Sequence, residues 1–222
     1  VALLTQDAVP RGADFLETLV APLEANPNLA GTYARQVAPP GTDPLIVAAL
    51  ERWTPAGAAR RQYALSTAEL HALPPAKRVQ RCRFDHVAAC VRRSAWEEHP
   101  YEDVPFGEDA VWAQAVLLAG YDLEYVPSAV VEHAHAGGAR QAYRRDRAAH
   151  EMLSRHFDLR TVPHAAAAAA AWIAGWGSDW RDLEGQGVPA SRRPAELVRG
   201  ARRRAGALVG QYLGGRAGAR LR

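Results

Sequence analysis

Three short segments carry residue types suited to chemistry on a charged, oxygen-rich substrate. Phe106-Gly107-Glu108-Asp109 sets two carboxylates just ahead of the apolar-periodic run Ala110 to Ala119, so both stand in the opening turn of a helix. A carboxylate near a substrate hydroxyl can take its proton; two acids at a helix start can equally be partners of the helix dipole. His133 and His135, in Val130-Val131-Glu132-His133-Ala134-His135, are two residues apart, and on a strand their rings leave the same face. Leu3-Leu4-Thr5-Gln6-Asp7 adds a third carboxylate where an apolar run ends. Asp7, His133 and His135 together form a donor set for a divalent cation. A zinc centre would want a further histidine or cysteine at ligand spacing, and none follows nearby.

Strands and helices must alternate to hold these residues. Val1 to Leu4 has the apolar character of a buried parallel strand opening into a loop. Ala13 to Ala25 is expected to be helical, with Phe15, Leu16, Leu19, Val20 and Leu23 on one face and Pro27 stopping it. Leu29 to Val37 reads as a strand and Pro39-Pro40-Gly41 as the turn after it. Thr42 to Val79, broken by Pro44, Pro55, Pro74 and Pro75, is assigned to loops and helices covering the site. Cys82 to Val91 is β-like and Arg92 to Glu97 a short helix. Asp109 to Ala119 is a helix closed by Gly120, and Leu123 to Val126 with Ala129 to His133 supply strand material around Pro127. The pattern is that of an α/β fold, divided into a catalytic portion over 1–160 and a helical C-terminal region over 161–222.

Charge is distributed unevenly. The chain totals +3, yet Ser191 to Arg222 hold nine arginines against one glutamate, a charge of +8 that leaves the rest at −5. From Ala195 to Leu213 the residues Leu197, Val198, Ala201, Ala205, Leu208, Val209 and Tyr212 recur at helical spacing, with Arg199, Arg202 and Arg203 off that face. Such a basic amphipathic helix suits an anionic membrane surface, or packs its stripe on the body. Nucleic acid is excluded as a partner, because the basic residues are not interleaved with stacking aromatics. Cys82 and Cys90 have no metal or redox spacing and read as reduced thiols. Val1-Ala2-Leu3-Leu4 shows no basic n-region, and the uncharged run Ala165 to Trp176 is shorter than the ~20 residues a bilayer span needs. The expected location is cytoplasmic, peripheral at the inner face of the membrane.

Taken in order, Leu3-Leu4-Thr5-Gln6-Asp7-Ala8, Tyr33-Ala34-Arg35-Gln36, Val91-Arg92-Arg93-Ser94-Ala95-Trp96-Glu97, Phe106-Gly107-Glu108-Asp109, Ala119-Gly120-Tyr121 and His133-Ala134-His135 resemble family 2 glycosyltransferases of the rhamnosyltransferase type. The similarity continues through Tyr143-Arg144-Arg145, Leu159 to Pro163 and Gly210 to Gly214. It implies a GT-A fold, a Rossmann-like mixed sheet flanked by helices. It also implies an inverting transfer from a nucleoside-diphosphate sugar to a saccharide or polyprenyl-linked acceptor in cell-surface polysaccharide synthesis. Rhamnose from a thymidine diphosphate donor is an expectation of the resemblance alone.

The family's roles carry over residue by residue. Asp109 becomes the base and Glu108 orients the acceptor; Gln6 and Asp7 contact the donor, and the planar forks of Arg144 and Arg145 are suited to clamping its diphosphate oxygens. Asp7, His133 and His135 hold Mg²⁺ or Mn²⁺. Two departures stand out: Thr5 replaces the first acid of the usual Asp-x-Asp, and Ala136-Gly137-Gly138 stand where relatives continue with Asn or Asp. Trp96 and Trp112 could stack on a sugar or fill the core, and Arg144 and Arg145 could instead be a solvated helical face. A metal-dependent hydrolase using the same acids and histidines is the alternative activity. Because Val1 to Leu4 reads as a central strand, the resemblance also implies about 80 preceding residues of nucleotide-binding sheet. The chain alone is then expected to be an inactive or partner-dependent fragment, prone to self-association through an open edge.

Overall fold

The computed structural model describes residues 1–135 and 137–221; Ala136, in the departing loop segment, and Arg222, in the basic tail, lie outside them. The fold is mixed α/β. It forms two compact units, Val1–Gly41 with Leu50–Ala134, and Thr42–Ala49 with His135–Arg222.

The first unit is built on a mixed sheet of β1 (Ala2–Leu4), β2 (Val9–Arg11), β3 (Leu29–Val37), β4 (Arg60–Gln62), β5 (Ala88–Val91) and β6 (Asp122–Glu132). The order is β1-β5-β3-β6-β2, with β4 also on β6. β3 and β6 run parallel and the other pairs antiparallel. Laid flat, β1 and β2 would stand roughly 19 Å apart. Yet the link Thr5–Ala8 is folded into a turn, Ala8 N donating to Thr5 O at 3.1 Å, and can reach only about 15 Å. The sheet must therefore curl, and the link that forces the curl carries Asp7.

Helix α1 (Phe15–Ala25) covers one face. Phe15, Leu19 and Leu23 pack with Leu29, Ala34, Ala88, Val126 and Val131, each fully buried leucine contributing about 1.5–3 kcal/mol. Thr32 on the same face donates its hydroxyl to Leu19 O at 2.7 Å. The end of α1 is held by Arg92, whose guanidinium donates to the carbonyls of Leu23, Asn26 and Leu29. On the opposite face Tyr33 meets Phe84 edge-on at 5.4 Å and Phe84 meets Trp112 at 5.1 Å. Trp112 belongs to α6 (Glu108–Leu118). The shorter helices α3 (Thr67–Ala72), α4 (Pro75–Arg81) and α5 (Arg93–Glu98) complete the unit, and α2 (Pro44–Trp53) brings Trp53 to it.

Several sequence expectations need correction. β1 is not a buried parallel strand: it pairs antiparallel with β5 at the end of the strand order, and Leu4 is half exposed. A short apolar run fits an edge as well as a centre. Leu16 faces solvent, since burial on α1 follows the narrow 15, 19, 23 line. β4 lies within the stretch assigned to loops and helices. In Cys82 to Val91 only Ala88–Val91 is strand, because Val87 N turns back to Asp85 Oδ1 at 3.1 Å. Pro127 does not divide its strand: β6 continues across a bulge where the register jumps from Ala34/Val126 to Arg35/Val130. That bulge removes a proline, which has no N–H, from the ladder.

The second unit contains α7 (Ala139–Phe157), α8 (Ala165–Gly185) and α9 (Arg193–Ala219). Among the described residues no helix is long and apolar enough to cross a membrane. Leu197, Ala201 and Leu208 of α9 are buried, but Val198, Ala205 and Val209 of the anticipated stripe are exposed. The contact with α7 runs instead along Gly206, Gly210, Gly214 and Gly218, facing the backbone of Ala139, Tyr143, Arg147 and Glu151 in the same four-residue step. A Cβ at Gly210 would lie 2.5 Å from Tyr143 O. Glycine has no apolar signal, so hydrophobic periodicity misses this line.

Gly214→Leu should therefore destabilise the second unit. Leucine gains about 0.8–1 kcal/mol of helix propensity over glycine, but overpacking against a helix backbone costs about 1–3 kcal/mol or more. Gly215→Ala, whose Cβ would have its nearest neighbour at 3.5 Å, should be neutral or stabilising. Thermal unfolding of the two variants checks the contrast; equal melting temperatures would contradict close α7–α9 packing.

Candidate functional site

The candidate residues of the first unit gather around one carboxylate that the sequence reading did not single out, Asp85. It sits in the buried turn before β5. Its Oδ2 accepts from Gln36 Nε2 at 2.5 Å and from Trp53 Nε1 at 2.9 Å, and its Oδ1 from Val87 N. An ionised carboxylate can only accept, so the Gln36 NH₂ must face it and the Gln36 amide oxygen must face the other way. That oxygen lies 2.7 Å from His133 Nδ1. Being an acceptor, it fixes Nδ1 as the protonated nitrogen.

The consequence falls on Nε2. It points at Asp7, whose Oδ2 is 3.4 Å away, beyond the roughly 2.7–2.9 Å of a charge-assisted N–H···O⁻ bond. A neutral imidazole in this tautomer turns a lone pair toward a carboxylate, an arrangement that a cation or a second ring proton relieves. Asp7 is exposed and His133 buried, so the pair has one wet and one anchored member. Both stand where the sheet puts them: Asp7 on the link between β1 and β2, His133 just past β6, where β2 pairs with Val130–Glu132. His135, exposed, stands two residues later and opens the second unit.

Glu108 and Asp109 occupy the first turn of α6, after Gly107 at φ 75°. Only glycine takes that left-handed conformation without strain, and it sets the helix start. The Asp109 Oδ1 accepts from Ala110 N at 2.8 Å. Burial, and then the charge of Asp85, nevertheless push its carboxyl up to about 6, while His86 pulls it down. His86 Nε2 lies 3.3 Å from Glu108 Oε1. Tyr101 stacks on Trp112 with centroids 5.2 Å apart. Its buried hydroxyl makes no hydrogen bond among the described residues, and burial, then the charges of Asp109 and Glu108, hold its pKa well above the usual phenol range.

The other candidates are placed as follows. Gln6 is exposed beside Asp7 in the turn. Arg144 and Arg145 are exposed on α7 of the second unit. Trp112 fills the core and Trp96 is 40% exposed. Cys82 and Cys90 are free and buried, with burial holding both thiols above their usual range. The signal for Asp85 and His86 was an acid and an imidazole between Phe84 and an apolar strand. No family model matches this chain and no curated protein matches it.

A pH dependence follows from Asp109. Its folded value lies above that of an unfolded aspartate, so the native state binds the proton more tightly and stability is lost as pH rises through about 6. Asp109→Asn should remove that loss and stabilise the protein above pH 7 by up to about 3 kcal/mol, with little gain at pH 4. Thermal melts across this range give the answer, and a constant difference at all pH values would refute it.

Proposed function

We propose that the first unit is the catalytic part of a nucleotide-sugar-dependent glycosyltransferase of the family 2, GT-A type, inverting and metal-assisted. One observation carries the reading: a single buried carboxylate, Asp85, both orients His133 toward Asp7 through Gln36 and lifts the proton affinity of Asp109. A cation ligand pair and a tuned base thus share one support.

Asp7 and His133 would hold a divalent cation, with His135 two residues further along the chain. When bound, that ion neutralises charge developing on a diphosphate leaving group. Asp109 takes the proton of the acceptor hydroxyl as its oxygen bonds to the anomeric carbon and the carbon–diphosphate bond breaks. The departing diphosphate keeps that electron pair. At about 6, Asp109 is ionised at neutral pH yet more basic than an ordinary aspartate, as a general base requires. Glu108, paired with His86, orients the acceptor. The proposed site of action is an anionic membrane surface, supported by Arg199, Arg202, Val198, Val209 and Leu213 exposed on α9.

Calorimetric titration with uridine and thymidine diphosphates should show binding tightened by Mg²⁺ or Mn²⁺, and Asp7→Asn should abolish most of that gain. Identical binding in a chelator would overturn the metal assignment. Cation binding with no response to nucleotide would favour the hydrolase.

Asp109→Asn should lower sugar transfer by about 10²–10⁴ while nucleotide binding persists. If Glu108→Gln abolishes transfer and Asp109→Asn does not, the two roles are exchanged.

A further inference from the structure

A second constellation lies on the sheet face opposite α1 and is rich in arginine. Tyr33, Tyr125 and Arg60 form one cross-strand row, since Tyr33 is register partner to Tyr125 on β6 and Tyr125 to Arg60 on β4. The two tyrosine rings are 5.2 Å apart, and the Arg60 guanidinium stands 5.1 Å over Tyr125. Arg35 follows two residues after Tyr33 on β3, hence on the same side. Arg83 lies 3.8 Å over the ring of Trp53.

Arg35 and Arg83, both half-buried, have donor atoms without partners among the described residues. The Nε and Nη2 of Arg83 and the Nε of Arg35 are buried and make no hydrogen bond among the described residues. The carboxylate acting on Arg83 is that of Asp85, whose oxygens already accept from Gln36, Trp53 and Val87. Arg60 and Arg83 repel one another, and both act on Tyr33. Aromatic faces offset part of the desolvation cost, but buried donor atoms left without an acceptor remain expensive. Arg60 and Trp53 are exposed, so the cluster opens to solvent.

We propose that Arg35, Arg60 and Arg83, seated on Trp53, Tyr33 and Tyr125, bind an oxyanion of the phosphate class. Three guanidinium forks match the charge and the many acceptor oxygens of a diphosphate, whereas one carboxylate would leave most of them unmet. The site shares no residue with the Asp7–His133 pair and stands whether or not glycosyl transfer is the activity.

Calorimetric titration of the full chain with sodium pyrophosphate in EDTA, with no divalent cation present, tests the site. Binding should be measurable, weakened about tenfold or more by Arg83→Gln and by Arg60→Gln, and unchanged by Asp7→Asn. Pyrophosphate should also raise the melting temperature of the unsubstituted chain but not of Arg83→Gln. Because Arg60 is exposed, Arg60→Gln carries the test should Arg83→Gln fail to fold. Geranyl diphosphate distinguishes the sources: tighter binding than pyrophosphate supports a lipid-linked ligand, equal binding a free diphosphate. No binding in EDTA, or affinity unaltered in both arginine variants, overturns the proposal. Nucleotide binding that is identical with and without a chelator overturns the metal-assisted transferase reading and leaves this site standing, so the two failures are distinguishable.

Discussion

The orientation of the candidate site depends on the buried carboxylate of Asp85. Because it can only accept hydrogen bonds, it decides which end of the Gln36 amide turns toward His133, and so which ring nitrogen carries the proton. A buried ion is costly unless its lone pairs are satisfied, and here three donors converge on it from β3, α2 and its own turn. The same charge reaches Asp109 at the start of α6. Four elements distant in sequence are thereby tied to one group.

The sheet supplies the frame in which this can happen. A short turn linking two strands at opposite ends of the order requires curling, and the curl brings Asp7 to the end of β6 where His133 emerges. The bulge at Pro127 lets β6 serve β4 with its first half and β2 with its second. Without that change of partner, the side of Val130–Glu132 away from β3 would carry no strand to hold the Asp7 turn in place. The second unit solves a different problem by different means. In it, α7 and α9 approach along a line of glycines, so contact is made by backbone rather than by interlocking apolar side chains.

What the sequence by itself determined is what local pattern encodes. The strand Leu29–Val37, the buried 15, 19, 23 line of α1 and the helix after Gly107 follow from periodicity and turn chemistry, which act over a few residues. The acids at that helix start and the histidines after β6 were legible as residue types with a chemistry. Only the tertiary structure decided which of them meet. Asp7 and His133 are 126 positions apart, and their approach depends on sheet order, which no local signal carries. The role of Asp85 was hidden for the same reason: an acid in a turn looks solvated until Gln36 and Trp53 close over it. The glycine line of α9 and the edge position of β1 were likewise settled by what lies opposite them, since a missing side chain and a three-residue apolar run have no preference until a neighbour is in place.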